Sequence, residues 1–180
     1  MKSTPLDLEQ DDRRLQGRLQ DGQLQGPVHI EDAGRPQAAL TYDAGELQGS
    51  SLLYHPNGKV SAQLPFVRGK VQGVASFYAA EGWLQRKATY RRGLLHGEAS
   101  NYFPDGQLAE AECYRDGVRE GRYQRFHPNG QAAVDARYVN GKLLEPEQGF
   151  APDGRPLDAD GKPISRLRWW YRKWTEPLEA

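Results

Sequence analysis

Four histidines and one cysteine are the side chains that could supply a nucleophile, a general base or a metal ligand. They are His29, His55, His96, His127 and Cys113. A catalytic thiol needs a neighbouring base, and no histidine lies near Cys113 in the sequence. His55 and His127 occupy equivalent places 72 residues apart, so we expect them to serve turns rather than to share a metal. No nucleophile, base and orienting group occur together. We therefore predict a protein that is not an enzyme, with no catalytic residue, metal site or cofactor.

The charge balance of the chain argues against nucleic acid as a general partner. The 180 residues include 24 basic and 24 acidic side chains, so the formal net charge is zero. Such a chain has no long-range field that would attract nucleic acid or an acidic membrane. Glycine fills 20 positions and proline 12, and hydrophobic residues make up 37% of the chain. These values are typical of a thin, turn-rich β protein.

Glycines recur at a period of 24 residues, which is the signature of a repeat architecture. The first series is Gly34, Gly58, Gly82, Gly106, Gly130 and Gly154. The second series is Gly22, Gly45, Gly69, Gly93, Gly117 and Gly141, which steps by 23 residues once and then by 24 four times. Aromatic residues keep fixed distances from both series. The chain is therefore expected to contain about six units of 24 residues.

The residues around these glycines predict β-turns joined by short strands. The segment His55-Pro56-Asn57-Gly58 suits a turn, because proline presets φ and glycine accepts a positive φ. Asp116-Gly117 and Asn140-Gly141 are typical of tight hairpins. After Gly58 the apolar residues on one face are Val60, Ala62, Leu64 and Phe66, and such alternation indicates half-buried strands. We expect an all-β fold, an elongated, twisted antiparallel meander of tandem β-hairpin repeats, with a short C-terminal helix.

A complete unit of the repeat is seen in residues 54–73. It contains Tyr54, the turn ending at Gly58, the second aromatic residue Phe66, and the pattern Gly69-x-Val71-x-Gly73. This pattern resembles MORN-variant repeats of the type found in bacterial antitoxins and immunity proteins, and the resemblance covers residues 17–156. It implies an all-β hairpin array that binds a protein partner, in several relatives a toxin or a secreted antibacterial effector. The Gly-x-Gly step of the eukaryotic MORN pattern is absent, which weakens a lipid-binding interpretation.

The third and fourth units place charged residues where other units are apolar. Four residues after the first-series glycines stand Ala38, Ala62, Arg86, Glu110 and Val134. Two residues further on stand Leu40, Leu64, Ala88, Glu112 and Ala136. Buried charge without a partner is costly, so this face carries either a local ion pair on a solvated surface or part of a partner-binding surface. In the second case aromatic and arginine anchors are expected, and the candidate residues are Tyr78, Arg86, Tyr90, Tyr102, Glu110, Glu112 and Tyr114.

The C-terminal segment contains three of the four tryptophans. Ser165 is a suitable N-cap and Pro177 lies beyond the expected end of a helix. Leu167, Trp170 and Trp174 share one face of that helix. We predict a capping helix that packs its tryptophans on the final hairpin and covers the open sheet edge. The alternative is a basic-aromatic foot for a membrane or a nucleic acid.

The sequence predicts three regions and a protein partner. Residues 1–16 are expected to be an acidic tail, residues 17–156 the repeat array, and residues 157–180 a linker followed by the capping helix. No apolar stretch is typical of a signal peptide or a membrane span, so a cytoplasmic location is expected, or a periplasmic one if a leader has been removed. The expected partner is a cognate protein toxin or secreted effector, with no nucleic acid. Membrane contact through the C-terminal segment, a structural scaffold and a membrane-associated adaptor are the alternatives, and the oligomeric state stays open.

Overall fold

The computed structural model describes the backbone of residues 2–175 and the side chains of residues 2–171. This part of the chain forms seventeen β-strands and one α-helix. The strands are β1 (Ser3–Gln10), β2 (Arg13–Gln20), β3 (Gln23–Leu24), β4 (Gly26–Asp32), β5 (Arg35–Asp43), β6 (Glu46–Leu47), β7 (Gly49–Tyr54), β8 (Val60–Val67), β9 (Lys70–Val71), β10 (Gly73–Tyr78), β11 (Leu84–Arg91), β12 (Leu94–Tyr102), β13 (Leu108–Arg115), β14 (Val118–Phe126), β15 (Ala132–Val139), β16 (Lys142–Leu143) and β17 (Gln148–Gly149). The helix is α1 (Arg166–Thr175).

The long strands pair in chain order, so the sheet is one open antiparallel meander. Strand β1 pairs with β2, β2 with β4, β4 with β5 and β5 with β7. The same pattern continues through β8, β10, β11, β12, β13, β14 and β15 to β17. The two-residue strands β3, β6, β9 and β16 extend the pairing at the turns. The predicted all-β hairpin array is confirmed.

The two glycine series form two different kinds of turn. At the second series both central residues have positive φ, for example 49° and 72° at Arg68 and Gly69. This is the type I′ hairpin turn, whose twist matches that of the flanking strands. From Gly58 onward the first-series turns are longer, and the Gly58 N–H donates a hydrogen bond to the His55 carbonyl at 2.8 Å. The turn at Gly34 is the exception, because Ala33 and Gly34 have φ of 49° and 70° and form another type I′ turn.

Side chains at two first-series turns, those of Gly58 and Gly130, join one unit to the next. The Nε2 atom of His55 donates to the Tyr78 carbonyl at 2.8 Å, and that of His127 donates to the Phe150 carbonyl at 2.9 Å. Asn57 donates through Nδ2 to the Ala80 carbonyl at 2.7 Å. Both histidines therefore serve turns, as the sequence predicts.

A second set of side chains joins the units at the opposite edge, and sequence reasoning missed it. Each of these side chains accepts a hydrogen bond from a backbone N–H in the next type I′ turn. The accepting side chains are Gln25, Gln48, Gln72, His96 and Glu120. They stand three residues after a second-series glycine, so the same 24-residue period is the signal that could have found them. Together the two edges fix the register between units.

One face of the sheet is defined by five pairs of glycine and aromatic residues in register. The pairs are Gly26 with Tyr42, Gly49 with Phe66, Gly73 with Tyr90, Gly97 with Tyr114, and Gly121 with Tyr138. We call this the aromatic face. Its buried residues are Val28, Ala38, Ser51, Ala62, Ala75, Ala88, Ala99, Glu112, Val134 and Ala136. The core is therefore a shallow layer of mostly small side chains on one side of a single sheet.

The N-terminal segment is part of the sheet, so the expected acidic tail at residues 1–16 is wrong. Strands β1 and β2 form a hairpin, and β2 continues into the array by pairing with β4. Arg14 donates to both oxygens of Asp7, through Nε at 2.9 Å and Nη2 at 2.6 Å. This contact, together with a hydrogen bond from Gln16, lowers the pKa of Asp7 to about 2. Asp7 and Glu9 therefore lie in a paired strand, and Asp11 and Asp12 form the turn that follows it.

The C-terminal helix forms where predicted, but much of its predicted apolar face is exposed. The Ser165 Oγ accepts a hydrogen bond from the Arg168 N–H at 3.3 Å, which is the expected N-cap. The side chains of Leu167 and Trp170 are 82% and 59% exposed, so most of their apolar surface is open to solvent. The side chain of Trp174 lies outside the described residues.

The reason is that residues 150–164 already fold over the last strand. The Leu157 N–H donates to the Gly149 carbonyl at 2.8 Å, and the Leu157 side chain lies against Gly149. Ala151 and Ile164 are buried in this segment. Arg155 donates through Nη1 to the Ile164 carbonyl at 3.0 Å. We call residues 150–164 the terminal strap.

We predict that the terminal strap, and not α1, protects the end of the sheet. Truncation after Ile164 is expected to leave the midpoint of thermal unfolding within about 2 °C, because about 1 kcal/mol shifts it by only 2–4 °C at this chain length. Truncation after Gly149 removes the strap and is the matched control, for which a lower midpoint and aggregation are expected. Circular dichroism and light scattering measure both. If the variant truncated after Ile164 aggregates, the capping role belongs to α1 instead.

Candidate interaction surface

Strand pairing brings the charged residues of the third and fourth units together on the aromatic face. Arg86, Asn101, Glu110 and Arg125 follow one another in register across β11, β12, β13 and β14. In the neighbouring row Glu112 lies between Ala99 and Tyr123. The same rows are mostly apolar in the first two units, so the change in chemistry is confined to one region of the face.

Glu112 is the centre of this region and is only 4% exposed. Its Oε1 accepts a hydrogen bond from Arg86 Nη2 at 3.0 Å. Its Oε2 accepts from the Tyr114 hydroxyl at 2.9 Å and from Arg119 Nε at 3.1 Å. Removing a carboxylate from water is costly unless charged partners and hydrogen bonds replace the lost solvation, and here both oxygens have donors. We call Arg86, Glu112 and Arg119 the buried triad.

Arg119 is held from its other side by two tyrosine rings. Its guanidinium carbon lies 5.3 Å from the ring centroid of Tyr123 and 5.3 Å from that of Tyr138. The two rings meet edge to face, with centroids 6.0 Å apart and an interplanar angle of 84°. Contact with the Tyr114 hydroxyl and the charge of Glu112 raise the pKa of Arg119 above its ordinary value, although burial opposes them. The group is therefore a permanent cation in a fixed position.

The network continues from the buried triad to Glu110. Arg86 donates through Nη1 to Asn101 Oδ1 at 3.0 Å, and Asn101 Nδ2 donates to Glu110 Oε2. Burial, followed by a hydrogen bond with Glu110, raises the pKa of Tyr123 to about 12. Tyr123 therefore stays neutral and can donate to the Glu110 carboxylate. We call Arg86, Asn101, Glu110, Glu112, Tyr114, Arg119, Tyr123 and Tyr138 the polar cluster.

The structure brings four of the seven predicted site residues into this cluster. They are Arg86, Glu110, Glu112 and Tyr114. Tyr90 lies on the same face, opposite Gly73. Tyr78 and Tyr102 end β10 and β12 next to irregularities in the pairing, and the carbonyl of Tyr78 serves the His55 turn. Tyr78 pairs in register with Leu84 and Tyr102 with Leu108, so the structure places both outside the polar cluster.

Arg119 and Tyr123 were missed by the sequence analysis, although the repeat carries a signal for both. Two residues after the second-series glycines the other units have Leu24, Leu47, Val71, Leu95 and Leu143. Arg119 is the single polar residue of that series. Tyr123 stands where the preceding units have Ser51, Ala75 and Ala99. A comparison of every repeat position, and not only of two inward ones, would have found them.

Other candidate chemistry is limited among the described residues. Within residues 2–175, no group of three or more His, Cys, Asp and Glu side chains is arranged to hold a metal ion. Burial, and then the charges of Glu98 and Glu112, raise the pKa of Cys113, which favours the neutral thiol. In the same part of the chain, no helix has the length and apolar character needed to cross a membrane.

An open sheet of stacked hairpins, with a polar cluster on one face, defines a β-hairpin repeat protein. Four consecutive segments of the chain, residues 47–68, 71–92, 95–116 and 119–140, match the MORN repeat variant. The protein is therefore a MORN-repeat protein, and this repeat is of a non-catalytic type. No curated protein matches the chain. The last three matched segments contain every residue of the polar cluster.

Proposed function

We propose that this protein is a non-enzymatic binding protein that uses the polar cluster of its aromatic face to engage a protein partner. The partner is a toxin or secreted effector, which the protein neutralises by covering its working surface. One observation carries the proposal. The polar cluster replaces apolar residues of the repeat at several positions at once, and all of these replacements lie on one side of the sheet.

The composition of the cluster supports binding rather than fold stabilisation alone. Arginine and tyrosine are enriched among the residues that dominate binding energy at protein interfaces. Here the side chains of Arg86 and Arg119 are 27% and 41% exposed while their guanidinium groups are already held by Glu112. Side chains ordered before association lose little conformational entropy on binding. A partner therefore meets a surface that is already organised.

The type of repeat supports a neutralising role. The units resemble the MORN variant of bacterial antitoxins and immunity proteins, and an extended sheet offers a broad surface that can cover an active site. Inhibition by coverage requires no chemistry from the inhibitor. It requires a rigid surface of matching shape and charge.

Growth rescue is the experiment that tests the proposed function. The full chain would be used to capture partners from its source organism, and each partner identified by mass spectrometry would be expressed alone and together with the chain. We expect one captured protein to arrest growth alone and not when co-expressed. Capture without any growth arrest, or arrest that the chain does not relieve, would reject neutralisation.

We predict that the double variant Arg86→Ala/Glu110→Ala weakens binding of that partner by at least about 30-fold, corresponding to about 2 kcal/mol for a binding hot spot. The matched control is Lys87→Ala/Arg137→Ala. These two exposed residues lie on the opposite face, because each neighbours an aromatic-face residue along its strand. Isothermal titration calorimetry measures both affinities. Unchanged affinity of the Arg86/Glu110 variant would remove the polar cluster from the interface.

A further inference from the structure

Arg119 has hydrogen-bonding capacity beyond its contact with Glu112. A guanidinium group carries five N–H donors in a planar fork. Glu112 Oε2 lies 3.1 Å from both Nε and Nη2 of Arg119, so one carboxylate oxygen engages one edge of the fork. The side chain is 41% exposed. Donors on its outer edge can therefore reach a second acceptor that approaches from solvent.

The charges around Arg119 are balanced. The cations are Arg86, Arg119 and Arg125, and the carboxylates are Glu110, Glu112 and Glu147, the last of which accepts a hydrogen bond from the Tyr138 hydroxyl at 3.4 Å. Arg125 is exposed and pairs in register with Glu110. Attraction of an anion to this region therefore depends on the exposed donors of Arg119 itself rather than on a local excess of positive charge.

The position of Arg119 is fixed before any ligand arrives. The buried carboxylate holds one edge of the guanidinium, and the two tyrosine rings flank it at equal distances. Arginine binds carboxylates through two parallel N–H···O bonds, which lysine cannot reproduce. A fixed fork pays little ordering cost when it binds.

The neighbouring residues of the aromatic face are apolar. Tyr138 lies opposite Leu143, which is 41% exposed, and Tyr90 lies opposite Leu95. An acidic group that reaches Arg119 would therefore be accompanied by apolar contacts on both sides. This arrangement fits an acidic residue flanked by hydrophobic residues in a protein segment.

We propose that Arg119, supported by the buried triad and the two tyrosine rings, is a receptor for an aspartate or glutamate side chain of the partner. The inference rests on the proposed function and names the partner chemistry that the polar cluster recognises. The carboxylate forms a bidentate contact with the outer edge of the guanidinium. Hydrophobic residues on either side of the acidic residue contact the aromatic face.

Fluorescently labelled peptides test this receptor with the full-length protein. One library contains acetylated, amidated hexapeptides with a central Asp or Glu between apolar residues, and the matched library has Asn or Gln in its place. Fluorescence anisotropy measures their dissociation constants. We expect the acidic peptides to bind at least about tenfold more tightly than their amide counterparts, which is about 1.4 kcal/mol.

Two arginine variants separate a specific contact from general attraction. Arg119→Leu introduces the residue that other repeat units have and is expected to abolish the preference for acidic peptides. Arg137→Leu removes the same charge from an exposed site on the opposite face and is expected to retain it. If Arg119→Leu does not fold, the triple variant Arg86→Ala/Glu112→Ala/Arg119→Leu provides the same measurement.

Several outcomes would overturn the receptor. They are no measurable binding by either library, equal affinities for the two libraries, a preference that survives loss of Arg119, and a preference lost equally in Arg137→Leu. Failure of the proposed function can be distinguished from failure of the receptor. Selection of acidic peptides without any neutralised toxin would keep the receptor and reject neutralisation. A neutralised partner that still binds the Arg119→Leu variant would keep neutralisation and reject the receptor.

Discussion

Replacing Glu112 with alanine is expected to lower the free energy of unfolding by about 3 kcal/mol, although two other repeat units have alanine at this position, Ala88 and Ala136. Breaking a buried ion pair by removing one partner is strongly destabilising, because the remaining charge stays partly desolvated. Glu112→Ala leaves Arg86 and Arg119 close together without their common carboxylate, and leaves the Tyr114 hydroxyl without its acceptor. The expected cost lies at the lower end of the usual range because both arginines retain some exposure to solvent.

Urea denaturation measures this cost, and Glu98→Ala is the matched control. Glu98 is an exposed glutamate on the opposite face of the same pair of strands. Its removal is expected to change the free energy of unfolding by less than about 0.5 kcal/mol, as surface substitutions usually do. Equal effects of the two substitutions would show that Glu112 is not the electrostatic centre of the cluster.

The repeat explains why so much of the fold could be predicted from the sequence. Turn chemistry at Gly58 and Gly117 is local, and a period of 24 residues then fixes the strands between the turns. The N-terminal hairpin was missed because its acidic residues suggested a tail. The contact of Asp7 with Arg14 depends on strand pairing that composition does not reveal. The same limit applies to α1, because a helical pattern defines an apolar face without showing which surface is free to receive it.

The candidate site was only partly predictable, for a related reason. The charges of Arg86 and Glu112 differ from the other units when the repeat sequences are aligned. Their structural role, however, depends on contacts with the preceding and following units. Burial of Glu112 requires Arg86 from one unit and Arg119 from another. Before these contacts are known, an ion pair on a solvated face and an organised binding surface fit the same residues. The structure shows a network that is buried at its centre and exposed at its arginines, which neither alternative described.

The triple variant Arg86→Ala/Glu112→Ala/Arg119→Leu is expected to separate stability from binding. It removes the whole buried triad and restores residues that other units have at the same positions. Replacing a complete buried ion network with apolar residues is often neutral or stabilising by 1–4 kcal/mol, since no uncompensated charge remains. We therefore expect a free energy of unfolding within about 1 kcal/mol of the parent protein, or above it, in contrast to the loss caused by Glu112→Ala alone.

Partner binding by the triple variant, unlike its stability, is expected to decrease. With both arginines gone, the affinity for the neutralised protein should fall by at least about 30-fold, as for loss of a binding hot spot, while the sheet stays intact. Urea denaturation and calorimetric titration of the same preparation measure the two quantities together. A triple variant as unstable as Glu112→Ala would show that the network is needed to fold the array. A stable variant with undiminished affinity would place the interface elsewhere. A triple variant that is stable but does not bind is explained only by a binding role for the network. Removing a network that is needed for folding would lower the free energy of unfolding.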